Sequence, residues 1–84
     1  MALQSNQVTI GTTATQIVPP TLRTSLTVIN MGATDVYVGD SGVTIANGAL
    51  LKGVKGAELT FNTSSALYGI TASVSQVVCV LEDK

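Results

Sequence analysis

The stretch Leu22-Arg23-Thr24-Ser25-Leu26-Thr27-Val28-Ile29-Asn30 decides the fold class of this chain. Leu26, Val28 and Asn30 share one parity, and Ser25, Thr27 and Ile29 share the other. That period of two belongs to a β-strand. The same period returns in Val36-Tyr37-Val38 and in Leu59-Thr60-Phe61. Turn residues separate such runs: Pro19-Pro20, Asn30-Met31-Gly32, Gly39-Asp40-Ser41-Gly42, Asn47-Gly48 and Asn62-Thr63-Ser64-Ser65. Strands are expected near residues 7–10, 14–18, 22–30, 35–39, 43–46, 49–52, 57–61, 66–72 and 76–82. Asn47-Gly48 reads as a type I′ hairpin turn between 43–46 and 49–52. Short strands at this spacing predict an all-β fold, a small antiparallel β-sandwich or β-barrel, jelly-roll-like, of about 7–9 short strands. Residues 1–84 read as a single β domain, with residues 1–6 an N-terminal arm that orders on a neighbour.

Composition agrees and excludes several functions. Val, Ile and Thr supply 11, 5 and 12 of the 84 residues, while charged residues make up 11% and the net charge is −1. Ordinary soluble domains are about one quarter charged. Four cations neutralise few phosphates, which argues against a nucleic-acid partner. The chain has no His and one Cys, too few for a zinc site, a His-based triad or a disulfide framework. No apolar run approaches the roughly 20 residues of a membrane helix, and the N-terminus lacks the pattern of a signal peptide.

The remaining candidates for chemistry are few. Asp35, Asp40, Glu58, Glu82 and Asp83 form no acid/base pairing motif. Asp40-Ser41-Gly42 resembles a fragment of a calcium loop, yet reads more simply as an Asx turn. Cys79 lies in Val77-Val78-Cys79-Val80-Leu81 and reads as a small core residue. Arg23, the sole Arg, is expected to pair with Asp35, Glu58 or Glu82, either internally or across a subunit boundary. Asn30 has the parity of Leu26 and Val28, so its amide points inward and can hold the backbone of the following loop. No catalytic, cofactor-binding or metal-ligating residue is assigned, and the chain is read as no enzyme.

Several strands are apolar on both faces. Ile29 opposes Leu26 and Val28, Tyr37 opposes Val36 and Val38, Tyr68 and Ile70 oppose Leu67, and Val78 and Val80 oppose Val77, Cys79 and Leu81. A sandwich normally solvates one face of each sheet. Two explanations are open: a closed barrel whose outside is covered by Thr and Ser, or second faces buried against a neighbour. Low charge and small size favour the neighbour, because a domain of this length buries only a modest fraction of its surface alone.

The residues also carry a family resemblance. Leu22–Asn30, then Val36-Tyr37-Val38-Gly39, Asn47-Gly48-Ala49-Leu50-Leu51-Lys52-Gly53, Ala66-Leu67-Tyr68-Gly69-Ile70-Thr71-Ala72 and Val77-Val78-Cys79-Val80-Leu81-Glu82 together resemble small structural β-modules of tailed bacteriophages. The likeness covers roughly residues 8–82; such modules resemble head decoration (cement) proteins, and similar ones occur in head-fibre or tail-fibre proteins. It implies a homo-oligomer, a trimer, bound to the phage major capsid protein on the outer surface of the head after synthesis in the host cytoplasm. Neither nucleic acid nor membrane is an expected partner, and no cofactor is expected. Ile29, Tyr37, Tyr68, Val78 and Val80 are the expected oligomer or capsid contacts, with Arg23 as a polar anchor. The alternatives are a tail, baseplate or fibre-anchoring adaptor, and a host-surface or carbohydrate-binding module using Tyr37, Phe61 and Tyr68.

Overall fold

In the computed structural model, residues 3–84 are described. They form eight strands: β1 (Leu3–Ile10), β2 (Thr15–Val18), β3 (Ser25–Asn30), β4 (Val36–Gly39), β5 (Ala49–Leu51), β6 (Glu58–Phe61), β7 (Leu67–Ile70) and β8 (Gln76–Asp83). Two four-stranded sheets result, with orders β1-β8-β3-β6 and β2-β7-β4-β5. All pairings are antiparallel. Consecutive strands cross from one sheet to the other, and only β4 and β5 follow one another within a sheet. This order is that of an eight-stranded jelly roll. The expected all-β sandwich of jelly-roll type is therefore the fold.

The strand at the centre of the sequence argument lies inside its sheet, between β8 and β6. Its burial alternates as read, with Leu26, Val28 and Asn30 inward and Ser25, Thr27 and Ile29 half-buried on the other side. Leu26 and Val28 meet Ile10, Val78 and Val80 of their own sheet and Ile17, Val18, Val36, Val38, Leu51 and Leu67 of the other in one core. Partly buried Val8, Ala57, Leu59 and Phe61 close its margins. Gly69 faces this core. A Cβ there would stand 3.0 Å from Ile17 Cδ1 and 3.4 Å from Ile10 Cγ2, so its missing side chain is what admits the two isoleucines. The folded surface of 4522 Å² is close to the roughly 4,700 Å² expected of a compact monomer of this mass.

Two expected elements differ. Residues 43–46 form no strand, and Asn47-Gly48 forms no type I′ turn. That turn needs positive φ, which only Gly56 adopts among the described residues. Side chains take over the backbone bonding instead. Thr44 Oγ1 accepts from the amides of Ala46 and Asn47, and Asn47 Oδ1 accepts from the Thr44 amide at 2.7 Å. Such local bonds compete with a ladder and win here. Val43 is the buried plug of this connection. The second difference concerns the arm. β1 begins at Leu3, so residues 3–6 lie in the sheet and pair with Asp83, Glu82, Leu81 and Val80. Residues 1–2 of the expected arm lie outside the described residues.

Asn30 closes β3 with the role expected of it. It is fully buried. Its Nδ2 donates to the Thr34 carbonyl at 2.8 Å and the Lys52 carbonyl at 3.0 Å, while Oδ1 accepts from the Gly32 amide at 3.0 Å. Its backbone amide donates to the Ala57 carbonyl, and its carbonyl accepts from the Gly56 amide, each at 2.8 Å. One side chain thus joins two crossovers, β3–β4 (31–35) and β5–β6 (52–57). Gly53 makes the junction possible, because a Cβ there would come within 2.8 Å of the Asp35 amide nitrogen. Its own amide donates to Asp35 Oδ1 at 2.6 Å.

Removing the Asn30 amide strands buried backbone groups, each costing about 1–3 kcal/mol. Asn30→Ala is therefore expected to lower the unfolding free energy by about 2–3 kcal/mol in a urea titration. Asn30→Asp, which turns an anion toward carbonyl oxygens, is expected to cost at least as much.

Candidate functional site

The sequence-predicted residues separate into four places. Arg23 lies at the end of the sandwich where β3 begins. Its side chain is fully inaccessible, although the residue as a whole is half-buried through its backbone. Nε donates to Glu82 Oε2 at 2.8 Å. Nη1 donates to the Thr63 and Ser65 carbonyls at 2.6 and 3.0 Å, and Nη2 donates to the Pro19 carbonyl at 2.7 Å. The planar fork of the guanidinium thereby joins β8 to the β2–β3 (19–24) and β6–β7 (62–66) crossovers. Of the three acids open to it, Glu82 is the partner; Asp35 holds the Gly53 amide instead. Arg23 is an internal anchor, and no donor of its guanidinium is left facing outward for a partner.

Val78 and Val80 are corrected as well. They are 0% and 1% exposed and belong to the core. The outward residues of β8 are Val77, Cys79 and Leu81, all half-buried. Both parities of β8 are aliphatic, so the alternation by itself could not choose a face. Register decides it: Val28 is paired with Val80, and Asn30 with Val78, and both partners point inward. Cys79 accordingly sits on the outer face rather than in the core.

Ile29, Tyr37 and Tyr68 do face outward, but on opposite sides. Ile29 lies on the β1-β8-β3-β6 sheet, in the row Glu58, Ile29, Cys79, Gln7. The neighbouring row is Thr60, Thr27, Leu81, Ser5, in which the Thr27 and Thr60 hydroxyls lie 3.1 Å apart. Tyr37 and Tyr68 lie on the β2-β7-β4-β5 sheet. Tyr37 stands between Leu50 and Ile70, and Tyr68 between Gly39 and Gln16. The tyrosines are diagonal neighbours on one face. Tyr68 Oη accepts from Gln16 Nε2 at 3.4 Å. Phe61, the third aromatic, packs toward the core and is unavailable to a ligand on that face.

The outer face of the tyrosine sheet is the better-formed candidate. Tyr37, Tyr68 and Ile70 are half-buried, Leu50 is 47% exposed, and Gln16 is the polar margin. No charged side chain occupies these rows. Leu50, absent from the sequence-predicted contacts, was missed because its strand is only three residues long and shows no period. Elsewhere, a shallow depression of about 450 Å³ is lined by Gln4, Ser5, Asn6, Val80 and Glu82. The Glu82 carboxylate there is already engaged by Arg23. The Asp40 carboxylate accepts from the Gly42 amide at 3.0 Å, the Asx turn expected of it. Comparison with family models, with curated proteins and with solved structures finds no match to this chain.

The Arg23 fork sets a stability prediction. Removing one member of a buried, hydrogen-bonded ion pair costs about 3–5 kcal/mol, because the other charge stays buried. Arg23→Met is expected to fall in that range by urea unfolding. Arg23→Lys, which keeps the charge but not the fork, is expected to lose more than half as much. A neutral Arg23→Lys would show that the carbonyl contacts carry no stability.

Proposed function

We propose that this chain is a non-enzymatic virion protein, a decoration (cement) protein that seats on the major capsid protein lattice of a tailed-phage head and holds neighbouring capsid subunits together. The observation that carries the reading is the uncharged face of Leu50, Tyr37, Ile70 and Tyr68. Aromatic residues with an apolar body and a polar tip suit a protein–protein contact, and no charge there has to be desolvated on docking. The resemblance over residues 8–82 supplies the kind of partner. Many copies on a symmetric shell would add weak contacts into a strong hold by multivalency. Placement on the outer surface of the head belongs to the same proposal.

Purified heads test this directly. The protein is expected to co-purify with them in a copy number that matches the head lattice, and heads made without it are expected to rupture at lower temperature. Its absence from purified heads, equal stability of heads lacking it, or a copy number matching the tail would each refute the assignment. Tyr37→Lys and Tyr68→Lys are expected to weaken head binding at least about tenfold, equivalent to roughly 1.4 kcal/mol. Both sites are outward, so the urea midpoint of each variant is expected to stay near that of the parent.

A further inference from the structure

The four sheet edges are not equivalent. β2 carries a register shift between Gln16 and Val18 and runs into Pro19-Pro20. β5 is three residues long, and β6 is four and starts at Glu58. Bulges, prolines, charges and brevity are the devices that keep an edge from pairing with another chain. β1 has none of them. It is eight residues long, Leu3-Gln4-Ser5-Asn6-Gln7-Val8-Thr9-Ile10, with no charge and no proline. All eight residues pair with β8 in unbroken register, and no strand pairs with the other edge of β1 among the described residues. Residues 3–7 are exposed on both faces. Alternate N–H and C=O groups along this edge therefore point away from the protein.

We propose that β1 is a strand-addition edge that pairs antiparallel with β1 of a second copy. The pairing would join two β1-β8-β3-β6 sheets into one eight-stranded sheet about a two-fold axis. The occupant follows from the charge and length of the strands. In a two-fold antiparallel pair the central residue meets its own copy, so a charge at the middle of β1 would face a like charge. β1 alone offers a long edge without that penalty. Pairing with β5 or β6 of another copy would leave half of its length uncovered. Ser5 and Gln7 on one face, and Gln4 and Asn6 on the other, supply side-chain amides and a hydroxyl that can bond across the seam. The inference uses a different surface from the capsid-facing tyrosines and stands without them. It also departs from the trimer that the family resemblance implies.

Sedimentation equilibrium of the full chain reads the outcome. The parent is expected at twice 8.6 kDa at about 100 μM and to dissociate on dilution. The double variants Ser5→Lys/Gln7→Lys and Ser5→Glu/Gln7→Glu place like charges across the seam in every two-fold register. Each alone is expected at the single-chain mass, and their equimolar mixture at twice that mass. A parent that stays at the single-chain mass or forms a trimer overturns the proposal. So do charge variants that still self-pair, or a mixture that does not. Backbone amide exchange of the parent gives a second reading that needs no variant. Alternate amides within residues 3–9 are expected to lose their protection on dilution to the single chain. Unchanged exchange rates would mean that β1 pairs with nothing.

Discussion

The buried guanidinium of Arg23 is the constraint on which the rest of this small sandwich depends. It anchors the start of β3 to β8 through Glu82 and gathers carbonyls from two crossovers that connect the sheets. Desolvating a charge pair is expensive, and its attraction repays the cost only when every donor finds an acceptor. Here three further N–H groups reach backbone oxygens, so the residue adds little net energy but strongly disfavours any other arrangement of these loops. Asn30 does the same at the far end of β3 with a neutral amide. The six-residue strand is held at both ends by polar groups, and the apolar core fills the span between them.

That arrangement explains how so few charges can specify a fold. With low net charge and a third of its residues β-branched, the chain has many compatible strand registers. A one-residue slip of β3 would move Asn30 out of its cradle and turn Leu26 and Val28 to the surface. Polar anchors at both ends therefore penalise slippage more sharply than the aliphatic alternation can. They also leave the two outer faces free of structural duty, so the uncharged tyrosine face and the bare β1 edge are surfaces the fold does not need for itself.

Much of the fold was legible because its signals are local. The parity of Leu26, Val28 and Asn30, the turn residues between strands and the lack of a helical stripe each act within a few residues. The inward Asn30 amide and the Asp40 turn could be read in the same way. The connection over residues 43–48 was not legible, since its β-prone composition hid a local competition that Thr44 and Asn47 side chains win. The N-terminal residues looked like an arm for want of apolar side chains. A strand beside β8 needs only backbone partners, which composition does not display.

The sequence by itself determined an all-β chain with strands apolar on both faces, one inward amide and one arginine in need of an acid. Tertiary structure alone decided which acid, which face and which neighbours. Glu82 is 59 residues from Arg23, and only the pairing of β3 with β8 brings the two together. Val78 and Val80 point inward because β8 lies between β1 and β3 in that register, although Val77, Cys79 and Leu81 would have filled the core pattern equally well. Tyr37 and Tyr68 share a face, and Ile29 lies on the opposite one, because the crossovers place β4 and β7 in one sheet and β3 in the other. Periodicity is a property of one strand, whereas a surface is a property of several, and their order is fixed only when the crossovers close.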